Sequence, residues 1–185
     1  MGKFTFTETK IKDLYIIEPT VFNDERGYFM ESYNEQNFKD AGLNINLKFV
    51  QDNESMSKKG VLRGLHFQEQ YSQDKLVRVI KGKIFDVSVD LRKDSPTYLQ
   101  WEGIVLSSQN KKQFYIPKGF AHGFLVLSDV AIFSYKCTEY YHPEYEKGII
   151  YNDPIIGVNW PLIDISDIIL SEKDKKLKSA VELGL

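Results

Sequence analysis

Hydrophobic residues recur along this chain in short alternating runs rather than in long helical stripes. From Lys75 the sequence reads KLVRVIKGKIFDVSVDLR, with Leu76, Val77, Val79 and Ile80 before Gly82 and Ile84, Phe85, Val87, Val89 and Leu91 after it. That pattern predicts a strand, a tight turn and a second strand. Similar runs at 15–18, 61–67, 103–106, 113–116, 123–127 and 131–137 predict further strands, divided by turn-rich pieces at 92–96 and 117–119. Helical spacing is weak except over 34–41 and in the tail after Ser171, where Glu172-Lys173-Asp174-Lys175-Lys176 predicts the start of a charged terminal helix.

So many short strands, with no repeat, low-complexity stretch or linker between them, predict one mainly β domain over 1–185, with a short helical tail from about 171. A double-sheet jelly roll, or cupin barrel, is the simplest architecture that hides this number of strand edges. The bulk properties agree with one sizeable core: 185 residues, of which 42% are hydrophobic and 14% aromatic. With 24 basic and 26 acidic residues the formal charge is -2, so no global field draws the chain to nucleic acid or to anionic membrane. An anionic ligand must be held by a local cluster. The single cysteine, Cys137, excludes an internal disulfide and fits a reducing cytoplasm. The N-terminus lacks the apolar core of a signal peptide, and no run approaches bilayer length, so a cytoplasmic protein is expected.

Three segments hold polar groups that a plain β core does not need: Gln51-Asp52-Asn53-Glu54-Ser55, Arg63-Gly64-Leu65-His66-Phe67-Gln68, and Pro117-Lys118-Gly119-Phe120-Ala121-His122-Gly123-Phe124. Strict alternation along 61–68 would put Leu62, Gly64, His66 and Gln68 on one face and Val61, Arg63, Leu65 and Phe67 on the other. A strand histidine taken alone is as readily structural, satisfied by one backbone bond. Pro117-x-Gly-x-x-His122 is similar to the second half of the cupin signature. Metal-binding cupins, however, pair it with His-x-His and a Glu, whereas this chain reads His66-Phe67-Gln68 and has three histidines in all. A set of metal ligands is therefore not expected, and His142 is read as a loop residue.

An organic acid/base site remains. Removing a proton beside a ketone needs a base within hydrogen-bond reach and a cation or donor for the enolate oxygen. His66 suits the base, since a histidine with a reference pKa of about 6.5 is largely neutral near pH 7. Lys75 supplies a point charge, or else is a solvated residue ahead of its strand. Inversion also needs a proton donor on the opposite face, and Tyr135 in the strand Ile132-Phe133-Ser134-Tyr135-Lys136 offers a phenol, although a strand tyrosine more often only packs.

At this point the chain resembles the dTDP-4-dehydrorhamnose 3,5-epimerase family. The resemblance is carried by Val21-Phe22-x-Asp24-x-Arg26-Gly27-x-Phe29-x-Glu31, Phe49-Val50-Gln51-Asp52-Asn53, Gly60-Val61-Leu62-Arg63-Gly64-Leu65-His66-Phe67-Gln68, Lys75-Leu76-Val77-Arg78 and Phe85-Asp86-Val87. It continues through the 117–124 segment, Tyr135-Lys136-Cys137-Thr138, Trp160-Pro161 and Leu170-Ser171-Glu172-Lys173-Asp174, in the family's order. It implies a homodimeric cupin barrel that uses neither metal nor nicotinamide and acts on a dTDP-linked 4-keto-6-deoxyhexose. His66 then matches the base that removes the C3 and C5 protons, Asp174 the carboxylate that orients it, and Tyr135 the opposing acid. Lys75 and His122 match positions near the ketone and sugar. Arg26, Glu31, Gln51, Asn53, Arg63, Glu146 and Lys173 match positions that bind sugar, pyrophosphate or nucleoside, and Tyr141 one that stacks on thymine. Glu172 and Asp167 are the other tail acids able to approach the histidine. Many members place His and Arg after the Gln51-Asp52-Asn53 segment, where this chain has Glu54-Ser55-Met56-Ser57. Related scaffolds invert C3 or C5 alone, and a sugar-nucleotide-binding cupin without chemistry is the alternative of another class.

Overall fold

A computed structural model describes residues 3–41 and 48–185; Met1 and Gly2 of the N-terminal stretch read above lie outside them. Thirteen strands are formed among the described residues: β1 (Phe4–Glu8), β2 (Tyr15–Pro19), β3 (Phe22–Asp24), β4 (Gly27–Phe29), β5 (Gln51–Lys58), β6 (Leu62–Gln68), β7 (Lys75–Lys81), β8 (Lys83–Asp90), β9 (Trp101–Ser107), β10 (Gln113–Ile116), β11 (Phe120–Val126), β12 (Val130–Cys137) and β13 (Glu146–Gly148). They build a six-stranded sheet in the order β1-β2-β10-β7-β12-β5, a five-stranded sheet in the order β13-β6-β11-β8-β9, and a separate β3–β4 ribbon. Strand pairing inside each is antiparallel. The expected mainly β, double-sheet architecture is the one observed.

The strand alternation decides where the cores lie. Val77, Val79, Phe114, Ile116, Ala131 and Phe133 of the six-stranded sheet meet Ile84, Leu106, Phe120, Phe124 and Val126 of the other in the layer between the sheets. Leu62, Leu65, Val87, Val89, Ala121 and Leu125 point out of the five-stranded sheet and are covered by Ile149, Ile156, Trp160 and Ala180 from the C-terminal segment. On the far side of the six-stranded sheet, Leu76, Tyr115 and Ile17 are capped by Phe4 and by Phe38 of helix α1 (Glu35–Asp40). This helix starts where the Asn34 side chain accepts the Asn37 N–H, and its buried Phe38 meets Phe4, Phe6 and Tyr33 edge-on.

Gly82 closes the β7–β8 hairpin at φ +81, and a Cβ there would lie 2.1 Å from the Val130 carbonyl oxygen, so both the turn and the close approach require glycine. The C-terminal tail is less helical than its charge pattern suggested. Asp174–Lys176 form one 3-10 turn, and the only α-helix there, α2, spans Ala180–Leu183 behind a Ser179/Glu182 capping box. The helix cannot begin at Glu172 because the Asp174 side chain is drawn inward, away from the solvated face that pattern predicted.

The turn after β8 is organised by one buried carboxylate. Asp90 accepts from Arg92 Nε and Nη2, both at 2.9 Å, from Ser95 Oγ at 2.6 Å and from Thr97 Oγ1 at 2.8 Å. Burial pushes its carboxyl up, but these donors outweigh burial and hold it below the usual carboxylate value. Stability from a lowered carboxyl is fully present above the ordinary value of about 3.9 and is lost as pH falls through its own lower value. Asp90→Asn is therefore expected to cost about 2 kcal/mol at pH 7, with the gap to the unaltered protein closing below about pH 4. Urea unfolding at both pH values checks this, and a gap independent of pH would show that the charge is not what holds the turn.

Candidate active site

The two sheets open at one end into a cavity of about 480 Å³, with His66, Lys75, His122, Tyr135, Arg63, Lys173 and Asp174 in its wall. A second cavity of about 280 Å³ shares His66, Lys75 and Tyr135 with the first and adds Gln51, Asn53, Tyr141 and Glu146. All four residues expected to carry the chemistry therefore face one continuous space.

His66 reaches the cavity through a departure from strict alternation. Across β6 and β11, His66 is opposite His122 and Arg63 is opposite Phe124, so three steps on β6 match two on β11. One extra residue in β6 turns Arg63 to the same side as His66 and Gln68, while Leu62 and Leu65 both remain in the outer core. The expectation that Arg63 lies on the face opposite His66 is corrected by this bulge. Arg63 Nε and Nη2 then donate to Ser57 Oγ at 3.2 and 3.1 Å.

The His66 ring is fixed by a carboxylate from the tail. Asp174 Oδ1 lies 2.5 Å from His66 Nε2, and Asp174 is itself held by Ser171, whose Oγ donates to Oδ2 at 2.8 Å. Of the three tail acids, Asp174 is the one at the imidazole; Glu172 pairs with Lys175 at the surface. Burial pushes the Asp174 carboxyl up, but the hydrogen bond and charge of His66, with Ser171 and Lys173, bring it below the usual value. It stays ionised and accepts the Nε2 proton, which leaves Nδ1 with a free lone pair. Glu146 Oε1 lies 4.0 Å from Nδ1, and Glu146 is in turn contacted by Lys173 Nζ and the Tyr141 hydroxyl.

Across the cavity, β12 presents Tyr135 beside Phe133, with ring centroids 5.5 Å apart. Burial, followed by Cys137, pushes its phenol up, so it holds its proton at neutral pH. Lys75, at the start of β7, has no hydrogen-bond or ion-pair partner among the described residues. Burial pushes its ammonium down, while Cys137, Glu146 and Asp86 act in the raising direction. An oxyanion arriving beside it would complete the charge pair that it lacks.

A second imidazole–carboxylate pair stands behind the first. His122 Nε2 lies 3.0 Å from both oxygens of Asp86, which is fully buried and whose carboxyl is pushed up by that burial against the influence of His122 and Lys75. Asp86 was missed as a site residue in the sequence, although a carboxylate at the inward position between Ile84 and Ser88 of an apolar strand is a visible signal. Ser171 was visible only as part of a motif. Among the described residues no cluster of three His, Cys, Asp or Glu side chains converges as it would around a metal.

Arg26 and Glu31 are not brought to this cavity. Arg26 sits in the β3–β4 turn, paired to Asp24 with its side chain 84% exposed, and Glu31 pairs with Lys3. His142 is a loop residue, stacked on Tyr71 at 4.3 Å.

A double-sheet β protein whose cavity opposes a carboxylate-bound imidazole to a neutral phenol, with an unpaired lysine in the same wall, has the makings of an acid/base enzyme. Comparison with known proteins narrows the class. The family model for dTDP-4-dehydrorhamnose 3,5-epimerase matches residues 8–182. The dTDP-4-dehydrorhamnose 3,5-epimerase of Methanothermobacter thermautotrophicus is 59% identical over 96% of this chain and 95% of its own length. The crystal structure of the Legionella pneumophila dTDP-6-deoxy-D-glucose-3,5-epimerase in complex with dTDP-4-keto-L-rhamnose superposes with a TM-score of 0.92 at 53% identity, covering 95% of this chain and 92% of that one. A 3'-monoepimerase from Streptomyces bikiniensis, in complex with dTDP-quinovose, is similar at 31% identity and a TM-score of 0.87, over 96% and 90% of the two chains. The chain belongs to the dTDP-4-dehydrorhamnose 3,5-epimerase family. Among its described residues no helix is long and apolar enough to cross a membrane.

Proposed function

We propose that this protein inverts C3 and C5 of dTDP-4-dehydro-6-deoxy-D-glucose, yielding dTDP-4-dehydro-L-rhamnose, with the whole of 1–185 acting as one cytoplasmic epimerase domain. The observation that carries this reading is the opposition of His66, held by Asp174, to the protonated phenol of Tyr135 across one cavity. Both carbons flank the C4 ketone, so each C–H is acidified by the same carbonyl. His66 Nδ1 takes the proton, the electron pair moves to the C4 oxygen, and Lys75 meets the charge that develops there. Tyr135 gives a proton to the opposite face of the carbon. The imidazolium and the phenolate then exchange with solvent, and the cycle repeats at the second carbon. Asp174 and Glu146 flank the imidazolium while it exists.

In this reading Gln51, Asn53, Tyr141, Glu146 and Lys173 receive the nucleotide at the mouth, and Arg63 and His122 contact diphosphate and sugar. Arg26 and Glu31 fit only a homodimer. Arg26 stands on a ribbon that also exposes Phe22, Tyr28 and Phe29, with Glu31 two residues beyond it, and from there they reach substrate by crossing to the cavity of a second copy.

The test is proton NMR of the nucleotide sugar incubated with the protein in deuterated water. Deuterium at both C3 and C5, with formation of the L-rhamno product, is expected. Entry at one carbon alone would make the protein a mono-epimerase, and entry at neither, with dTDP bound, would make it a binding protein.

A further inference from the structure

Tyr141 is carried by a stretch between β12 and the 3-10 turn at Pro143–Tyr145 that makes no strand pairing of its own. Its ring is about half exposed at the edge of the second cavity. A side chain in that position loses much of its value as a stacking surface unless the backbone beneath it is held. The structure holds it with side-chain amides. Tyr141 N donates to Gln51 Oε1 at 3.0 Å, Gln73 Nε2 donates to the Glu139 carbonyl at 2.8 Å, and the residues on both sides of Tyr141 are bound by Gln68.

Gln68 is the last residue of β6 and lies on the same side of that strand as His66. Its Oε1 accepts the His142 N–H at 2.6 Å, while its Nε2 donates to the Tyr140 carbonyl at 3.3 Å and to the Tyr71 carbonyl at 2.7 Å. The amide is buried, and its oxygen and both amide hydrogens are engaged with backbone. Two loops are thus joined at one point, and the Tyr71 ring, on the second loop, stacks on His142 next to Tyr141. Only a primary amide offers two donors and an acceptor there. A carboxylate would place its charge against two carbonyl oxygens, and an imidazole cannot donate twice and accept once.

We propose that Gln68, at the place where metal-binding cupins carry the second histidine of their pair, is a positioning residue that presets the Tyr141 ring as a platform for the nucleobase and so sets the preference for a thymidine nucleotide over bare diphosphate. The proposal rests on the reading of Tyr141 as the base-stacking residue. Gln68 makes no contact with the reacting carbons. It acts through the height and angle of a ring two residues before the next turn.

Calorimetric titration of the full chain with dTDP and with inorganic pyrophosphate tests it, using Gln68→Met, which keeps the side chain's length, and Gln68→Glu. In both variants dTDP binding is expected to weaken about tenfold as the backbone hydrogen bonds are lost, while pyrophosphate binding is unchanged. KM for the nucleotide sugar follows the dTDP loss, and kcat falls much less. Tyr141→Ala weakens dTDP by itself, and adding Gln68→Met to it costs nothing more. Equal weakening of both ligands, or a loss in the double variant that adds to that of Tyr141→Ala, overturns the role of Gln68. Unchanged dTDP binding in Tyr141→Ala overturns instead the stacking reading on which it rests. Hydrogen exchange at the His142 amide of the unaltered protein gives a reading free of any variant. Slow exchange without nucleotide supports a preset loop; fast exchange that slows only on binding dTDP overturns it.

Discussion

His66→Ala is expected to lower deuterium exchange at C3 and at C5 together, by about 10³–10⁴-fold, the range that a positioned general base contributes. In the proposed mechanism one imidazole serves both carbons, so the two losses coincide, and β6 presents no other base on that side of the cavity. Binding of dTDP is expected to change little, since the residues proposed to receive the nucleotide lie around Tyr141 and Glu146. Truncation leaves the Asp174 carboxylate without its partner, and a buried acceptor abandoned in this way costs about 1–3 kcal/mol of stability. His66→Gln separates the two effects. Glutamine carries an amide N–H to about the place of Nε2, where Asp174 accepts it, but has no basic lone pair, so it restores stability without restoring exchange. Exchange retained at either carbon in both variants would remove His66 as the base.

The second large effect is at the opposite wall. Tyr135→Phe removes one oxygen from a ring packed against Phe133 and leaves the packing in place. Proton abstraction by His66 does not need the phenol, but inversion does, because the proton must return from the other face. Inversion is expected to fall by about 10²-fold or more, with exchange falling less, so that deuterium enters with retained configuration. Counting deuterium in recovered substrate against product by NMR gives this ratio directly. An unchanged rate of inversion would remove Tyr135 as the acid.

These two residues were legible in the sequence for one reason. His66 and Tyr135 each lie in an apolar run that specifies a strand, and a polar group in such a run has to be explained. The central strands β7, β8, β10, β11 and β12 were legible because each carries hydrophobic residues on a buried face. Strand β5 was not, because its inward residues Gln51, Asn53, Ser55 and Ser57 belong to the cavity side and its outward Asp52 and Glu54 face water. With polar residues on both faces no period-two pattern survives, and its eight-residue backbone ladder with β12 is joined by the Lys136–Asp52 and Asn53–Cys137 side-chain contacts rather than by apolar packing. The ribbon β3–β4 has its rings exposed and buries no face, so it too gives no alternating signal.

The amino-acid sequence by itself determined the double-sheet class, through the two-residue period of its core strands, and the chemical inventory of the site, through residue types and motif order. Tertiary structure alone decided which of those residues meet. An extra residue in β6 rotated Arg63 to the side of His66, and the tail crossed the molecule to set Asp174, rather than Glu172 or Asp167, at 2.5 Å from an imidazole 108 positions away. It also joined Asp86 to His122 and gave Gln68 two loops to hold. The physical reason is that alternation is a local property of a strand. Partnership between charges depends on which strands and loops become neighbours, and that is settled by burying the two faces of each sheet at once.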